Sequence, residues 1–299
     1  MVKSLALRTL RHLRLSLFSL LLVLVSTVAG GLLASPAALA RHGVPTPAHI
    51  VVVIEENHSY NEIIGSSSAP YINALANSGA LFTSSFAITH PSEPNYLALY
   101  SGSTQGITDD SCPHTFAGPD LGGELIAAGK TFAGYSESMP GVGFTGCIYP
   151  KGNKALYFRK HNPWVNFTDV PSSDNLPFAG YFPTSNFSSL PPISFVVPNI
   201  NDDMHNGTIQ QGDSWLQSNI DPYVQWAKTN NSLLIVTWDE DDGTQNNQVP
   251  TIFVGPMVKA GQYSETITHY NILRTLEDAY GLPYANNSAT ATPITDCWG

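Results

Sequence analysis

Runs of consecutive apolar residues alternate along this chain with segments that have helical periodicity. The clearest runs are HIVVVI at 49–54, ISFVV at 193–197 and SLLIVTW at 232–238. Uninterrupted β-branched runs of this length are typical of strands that are buried on both faces of a parallel sheet. Further strands are predicted at 80–88, 131–135 and 251–254.

Helices are predicted where apolar residues recur every three or four positions, and a glycine marks the end of each of them except 214–228. These segments are 70–79, 121–129, 214–228 and 271–280. Strands that alternate with helices favour an α/β domain with a mostly parallel sheet. Neither an internal repeat nor a linker interrupts residues 41–299, so we expect a single catalytic domain there.

The segment 138–191 has a different composition. It is rich in Gly, Pro, Asn and Ser and shows little periodicity, which is typical of a long irregular excursion over one face of a domain. Six of its aromatic residues lie between positions 164 and 187: Trp164, Phe167, Phe178, Tyr181, Phe182 and Phe187. These aromatic side chains either form a recognition surface, for example for a lipid, or pack the interior of the excursion, and we favour packing for most of them.

Four polar clusters follow predicted strands. They are EENH at 55–58, HPSEPN at 90–95, NDDMH at 201–205 and DEDDG at 239–243. In open α/β sheets, ligands bind beyond the carboxyl ends of the strands. We therefore expect the four clusters to converge on one site, although a run such as DEDDG taken alone is usually a solvated loop.

The residue types in these clusters indicate metal-assisted chemistry. Carboxylate and amide oxygens are ligands of hard cations, and crowding so many acids without a cation costs free energy. A neighbouring serine can be activated by a metal or a histidine, and a histidine can protonate a leaving group. Ser92 has a simpler alternative, which is to cap a helix that has Pro94 in its first turn.

The first forty residues predict a signal peptide. Basic residues precede an apolar stretch at 15–33, and Ala-Leu-Ala at 38–40 fits a cleavage site, which predicts secretion. The alternative is a membrane anchor, because the apolar stretch is nearly long enough to span a bilayer. The formal net charge is −10, and it becomes −14 without the four basic residues of 1–40. Such acidity argues against nucleic acid as a partner, and we expect no stable membrane insertion of the mature protein.

Three cysteines are present, Cys112, Cys147 and Cys297. In an oxidising compartment we expect a Cys112–Cys147 disulfide, since it would join two loop-rich segments. Three single pairings remain open at this point. Cys297 would be left over near a loose chain end.

Five ordered segments resemble the phosphoesterase family of bacterial acid phosphatases and phospholipases C. They are IVVVIEENHSY at 50–60, THPSEPNYLALYSG at 89–102, VPNINDDMHN at 197–206, IVTWDEDDG at 235–243 and VPTIFVGPMVKAGQYSETITHYNILRTLEDAYGLP at 249–283. The resemblance is strongest to secreted acid phosphatases, some of which act on phosphatidylinositol 3-phosphate. It implies an alkaline phosphatase-like, three-layer α/β/α sandwich with its site at the carboxyl edge of the sheet.

The resemblance also implies the residues of a site. A divalent cation (Ca²⁺, Mg²⁺ or Zn²⁺) would be bound by Glu56, Asn57, Asp239 and Glu240, with Ser92 as the nucleophile in a Ser-x-Pro-Asn pattern. The remaining candidates are His205 for phosphate binding or leaving-group protonation, His90 and His269 as further acids, Asp203 as a partner of His205 or the metal, and Asn95 and Asp110 for substrate binding.

Some positions depart from the family pattern. The first motif reads Glu-Asn-His-Ser-Tyr-Asn where phospholipases C tend to carry Glu-Asn-Arg-Ser-Phe-Asp, and the chain is short for that branch. Asp110 falls where related diesterases carry a phosphate-binding Asn. We therefore expect a phosphomonoesterase, with a phospholipase C-type phosphodiesterase as the enzymatic alternative. A secreted, metal-stabilised protein that binds phosphorylated ligands without turnover is the non-enzymatic alternative.

Overall fold

The computed structural model describes residues 41–299, and the predicted signal peptide at 1–40 lies outside this range. The strands are β1 His49–Glu55, β2 Ala80–Phe82, β3 Ser85–Phe86, β4 Phe132–Ser136, β5 Ile148–Tyr149, β6 Tyr157–Phe158, β7 Asn175–Pro177, β8 Ile193–Val197, β9 Ser232–Trp238, β10 Thr251–Val254, β11 Gly261–Tyr263 and β12 Ile267–Thr268. The helices are α1 Tyr60–Ile63, α2 Pro70–Ser78, α3 Ser92–Ser101, α4 Leu121–Ala127, α5 Ile209–Asn219, α6 Asp221–Ala227 and α7 His269–Tyr280. Within 41–299, no helix combines the length and the apolar character that crossing a membrane requires.

The main sheet has eight strands in the order β11-β2-β10-β9-β1-β8-β4-β7. The three long apolar runs lie side by side at its centre, where β1 pairs in parallel with both β8 and β9. Strand β10 is antiparallel to β9 and β2, while the other neighbouring strands run parallel. The prediction of a mostly parallel sheet is confirmed.

Helices cover both faces of this sheet. Alternate residues of β1 point to opposite faces, so Ile50, Val52 and Ile54 join one buried cluster and Val51 and Val53 join the other. The first cluster is completed by apolar residues of α3, α4 and α7, and the second by those of α2, α5 and α6. The structure is therefore the three-layer α/β/α sandwich that the resemblance implied.

Helix α3 lies entirely inside the protein, with all ten of its residues buried. Pro91 occupies the N-cap position and Ser92 is the first helical residue, so Ser92 does not cap the helix. The helix ends at Gly102, whose φ of 68° is in the left-handed region that favours glycine. This placement presents Ser92 at the buried amino end of a helix that is packed against the sheet.

Two predicted elements are wrong in their extent. The segment 80–88 is not one strand, because β2 joins the main sheet while β3 pairs with β12 in a separate one. The helix predicted at 214–228 starts earlier and divides into α5 and α6, since Pro222 in the first turn of α6 has no N–H to continue the ladder.

The segment 138–191 is irregular, as expected, and consists of short strands and 3-10 turns. Most of the six aromatic residues between positions 164 and 187 pack inward: Trp164, Phe167, Phe182 and Phe187 are buried, Phe178 is half-buried and Tyr181 is 52% exposed. The expectation that most of these rings fill the interior is confirmed.

The disulfide joins Cys112 to Cys147, which confirms the expected pairing. The expectation that Cys297 lies at a loose end is wrong. Its side chain is buried, and its carbonyl accepts a hydrogen bond from the Lys259 N–H. The neighbouring Trp298 packs against Phe253 of the sheet, which holds this end of the chain in place.

Candidate active site

The carboxyl ends of the central strands bring the polar clusters together. Strands β1 and β9 are in register, with Glu55 opposite Trp238, so Glu56 and Asp239 leave the sheet side by side. The loop after β8 approaches the same point, because the Glu56 N–H donates to the Asp203 carbonyl at 2.9 Å. The convergence predicted from the strand ends is therefore present in the fold.

Ser92 lies between two carboxylates. Its Oγ is 3.2 Å from Glu56 Oε2 and 3.1 Å from Glu240 Oε1, and the residue is 1% exposed. A hydroxyl has one proton, so it donates to one of these oxygens at a time. Either carboxylate is thus close enough to receive the Ser92 proton.

The second oxygen of Glu56 faces His161, which was not among the residues predicted for the site. Glu56 Oε1 lies 2.9 Å from Nε2 of His161, and Nδ1 of His161 lies 3.5 Å from Asp203 Oδ2. Tyr96 stacks on the imidazole, with ring centroids 5.1 Å apart. His161 stands alone in the irregular segment, so nothing in its sequence surroundings signals this position.

Two buried oxygens at this site, Asn57 Oδ1 and Asp239 Oδ2, have no hydrogen-bond partner within the described chain. Glu56 Oε1 and Asp203 Oδ2 face the two ring nitrogens of His161. One ligand atom from each of Glu56, His161 and Asp203 also falls within 4.8 Å of the others. Unpaired buried oxygens are costly unless a cation or a proton neutralises them. The residues therefore fit a divalent cation, whose identity the mixed oxygen and nitrogen donors leave open.

Electrostatics distinguish the carboxylates. Burial opposes ionisation of Glu56, but His161 and Lys160 outweigh it and bring the pKa of Glu56 to about 2. Burial and the Glu56 charge raise the pKa of Asp239 well above its usual range. Burial raises the pKa of Glu240 to about 7, although His90 opposes the rise. Glu56 is therefore the carboxylate that stays ionised at the centre of the site.

The three candidate histidines occupy different positions. His90 Nδ1 lies 2.8 Å from Glu240 Oε2 and Nε2 lies 3.1 Å from Asp241 Oδ1, with the ring half exposed. His205 is exposed, and its ring centroid is 6.5 Å from that of His161. Its backbone N–H donates to Asp203 Oδ1. His269 is buried with Nε2 2.8 Å from the Asp239 carbonyl, and burial lowers its pKa to about 4.

The two predicted substrate-binding residues make contacts within the protein. The side-chain Oδ1 of Asn95 accepts hydrogen bonds from the backbone N–H groups of Ile88 and Thr89. Its side-chain Nδ2 donates to the Thr89 backbone carbonyl at 2.8 Å. Asp110 accepts the Glu93 N–H at 3.0 Å. Asn95 therefore shapes the turn before α3, and its role in substrate binding stays a prediction.

The three-layer architecture with its polar clusters at the carboxyl edge of the sheet is the alkaline phosphatase-like fold. A solved protein of the alkaline phosphatase superfamily from Vibrio parahaemolyticus superimposes with a TM-score of 0.55 over 83% of this chain and 71% of its own, at 12% identity. The model of the Phosphoesterase family matches residues 66–283. The chain belongs to the Phosphoesterase family, and membership makes it a phosphoester hydrolase.

Named relatives refine this picture. The phosphatidylinositol-3-phosphatase of Mycobacterium tuberculosis is 51% identical over 285 residues, which cover 93% of this chain and 94% of the relative. The phosphate-repressible acid phosphatase of Penicillium chrysogenum is 33% identical over 71% of this chain. The chain spans 54% of that fungal protein's length.

Proposed function

We propose that this protein is a secreted acid phosphatase that hydrolyses phosphate monoesters through Ser92 at a divalent-cation site. The main support for this proposal is the position of the Ser92 hydroxyl between Glu56 and Glu240. The domain would comprise residues 41–299, and the predicted signal peptide and the disulfide support secretion. Phosphatidylinositol 3-phosphate is the candidate lipid substrate, because a relative named for that activity shares half of the residues.

The proposed cation would be bound by Glu56, Asn57, Asp239 and Glu240, and Asp203 and His161 lie next to them. A cation on these oxygens would supply positive charge that favours the serine alkoxide and offsets the charge of the phosphate. The support is that Asn57 Oδ1 and Asp239 Oδ2 are buried without a hydrogen-bond partner in the described residues.

The chain's own groups account for the proton transfers. Ser92 Oγ gives its proton to Glu240 or Glu56 and attacks phosphorus, so that the Ser92 O–P bond forms as the bond to the leaving oxygen breaks. His205 or His90, both at the exposed side of the site, donates a proton to that leaving oxygen. Water then attacks the phosphoserine, and the histidine that gave up its proton takes one from this water. The water oxygen bonds to phosphorus as the Ser92 O–P bond breaks, and the carboxyl group returns its proton to Ser92 Oγ.

The remaining candidates act indirectly in this scheme. His269 supports the backbone at Asp239, and Asp203 faces His161 while it holds the His205 backbone. Asn95 fixes the turn that leads into α3. These assignments predict that substitutions at Asn95 and His269 alter the geometry of the site rather than contact with substrate.

The test is the Ser92→Ala variant. We expect turnover of p-nitrophenyl phosphate to fall by ~10³-fold or more, because the attacking oxygen is removed. Ser101→Ala is the matched control, since Ser101 lies at the far end of the same helix and its hydroxyl donates to the Leu97 carbonyl. Acid quenching of the unmodified enzyme during turnover should also trap phosphate on the peptide that contains Ser92.

Substrate comparison tests the reaction class. Preference for p-nitrophenyl phosphate over bis(p-nitrophenyl) phosphate is expected, together with release of phosphate from vesicles that contain phosphatidylinositol 3-phosphate. A preference for the diester would favour the phospholipase C-type alternative. Binding of phosphorylated compounds without turnover, with divalent metals supplied, would favour the binding-protein alternative. Full activity of the Ser92→Ala variant would exclude the serine mechanism.

A further inference from the structure

The proposed site is crowded with carboxyl groups, and those that a cation holds ionised create a problem for an anionic substrate. Glu56, Asp203, Asp239 and Glu240 are all buried there, and a phosphate monoester brings up to two further negative charges. A single divalent cation offsets only part of this charge. A positive side chain near Ser92 would therefore bind the phosphoryl oxygens more strongly than the same side chain would on an open surface.

Lys160 is the basic side chain that faces this cluster. It precedes His161, whose imidazole lies 2.9 Å from Glu56, and its own side chain is only 13% exposed. The charge of Lys160 lowers the pKa of Glu56 and opposes the rise in the pKa of Asp203. The ammonium group is thus close enough to interact electrostatically with both Glu56 and Asp203.

A short chain of contacts holds Lys160 in place. Its Nζ lies 2.8 Å from Asp110 Oδ2, and Asp110 Oδ1 accepts the Glu93 N–H at 3.0 Å. Glu93 follows Ser92 in the first turn of α3. Asp110 therefore connects the ammonium group to the same helical turn that presents the nucleophile.

The ammonium keeps donors for a ligand. It has three N–H groups, and Asp110 is the hydrogen-bond partner found for it within residues 41–299. The adjacent Arg159 is committed to the fold instead, because its guanidinium donates to Asn166 and to the Thr145 carbonyl. Lys160 is thus the member of this basic pair that remains available to an anion.

We propose that Lys160 binds the phosphoryl oxygens of the substrate and that Asp110 is the residue that positions it. This inference rests on the proposed phosphatase function and adds two residues to it. It also revises the expected role of Asp110, which supports the substrate-binding cation and does not itself contact the phosphate. A carboxylate held against an ammonium suits this positioning role, whereas direct contact with a phosphate anion would be repulsive.

The assignment predicts a difference between substrate classes. A phosphate monoester carries up to two negative charges near neutral pH, whereas a diester carries one. An ammonium directed at the non-bridging oxygens therefore favours monoesters and the product, inorganic phosphate. The same contact gives a diester less benefit, so Lys160 becomes a determinant of specificity as well as of affinity.

The experiment uses protein purified after expression of the full chain, with divalent metal supplied. Lys160→Met removes the charge and keeps the length of the side chain. We expect the inhibition constant of inorganic phosphate to rise ~10- to 100-fold, with a parallel fall in kcat/KM for p-nitrophenyl phosphate. For bis(p-nitrophenyl) phosphate the fall should be no more than ~3-fold. Lys154→Met, at an exposed position in the same segment, is the control and should change neither.

Two further variants separate positioning from binding. Lys160→Arg should restore part of the phosphate affinity because it restores the charge. Asp110→Asn keeps an acceptor for the Glu93 N–H but loses the ion pair, and we expect a ~3- to 10-fold loss of phosphate affinity. In the Lys160→Met background the same Asp110 change should add almost nothing, since its effect passes through Lys160.

Several results would overturn the inference. They are unchanged phosphate affinity in Lys160→Met, equal losses for monoester and diester, or fully additive effects of the Asp110 and Lys160 changes. Calorimetric titration with inorganic phosphate measures binding without turnover. If the unmodified protein binds phosphate but hydrolyses neither ester, the proposed function fails while the role of Lys160 is still decided by the titration.

Discussion

Replacing Glu124 by glutamine should make the protein more stable at neutral and alkaline pH. Glu124 lies in α4 and is 9% exposed, and its Oε2 is buried without a hydrogen-bond partner. Burial raises the pKa of this carboxyl to about 8, and the negative charges of Glu277, Asp120 and Asp169 add to the rise. The folded protein therefore holds a proton that the unfolded chain releases near pH 4.5.

The sign of the effect follows from that difference. A group whose pKa is raised on folding contributes stability that is complete below the unfolded pKa and is lost as the pH rises through the folded pKa. Between 4.5 and 8 the loss accumulates to about 2 kcal/mol at pH 6 and about 4 kcal/mol at pH 8. Glutamine resembles the protonated carboxyl and does not titrate, so Glu124→Gln avoids this loss.

The measurement is urea unfolding of the unmodified protein and of Glu124→Gln at pH 4.5, 6 and 8. We expect nearly equal free energies of unfolding at pH 4.5 and a growing advantage for the variant at higher pH. The pH 4.5 data serve as an internal control, because both side chains are then uncharged in the folded state. A difference between the two proteins that is the same at all three pH values would refute the reasoning.

Two further predictions concern packing and metal. Gly134→Ala should lower the free energy of unfolding by about 1–3 kcal/mol, because the new methyl would overlap the buried indole of Trp164; Gly118→Ala, in open space, is the control, and equal unfolding midpoints would contradict the packing argument. Chelation should remove activity and lower the thermal midpoint. Adding back a divalent metal should restore both, and at 100 times its Kd the metal adds about 2.7 kcal/mol to the free energy of unfolding. An unchanged midpoint would contradict a cation site among the unpaired oxygens of Asn57 and Asp239.

The central strands could be predicted because their own residues form a recognisable apolar pattern. Strands β1, β8 and β9 are buried on both faces, so most of their positions are apolar or β-branched, and this pattern can be recognised without tertiary information. Helix α3 gives the opposite case. All of its residues are buried, so it has no polar face and its sequence shows no amphipathic period.

The site was predictable in its strand-end residues and not in the rest. Glu56, Asp239 and Glu240 follow strands whose parallel pairing brings their ends together, so order along the chain was enough to join them. His161 and Lys160 come from an irregular segment, whose path over the sheet edge depends on long-range packing. Such a segment has no hydrophobic periodicity from which the contact between His161 and Glu56 could be predicted.

The disulfide connects the two parts of the chain that flank the proposed phosphate-binding lysine. Cys112 lies two residues after Asp110, and the Cys147 carbonyl accepts the N–H of Arg159, next to Lys160. Closing this 35-residue separation removes about 4 kcal/mol of chain entropy from the open form. A newly made chain in a reducing cytosol would have its carboxylates in place but lack this constraint on Lys160. Under the proposed export of the chain, the phosphate-binding region would gain this constraint only when Cys112 and Cys147 are oxidised.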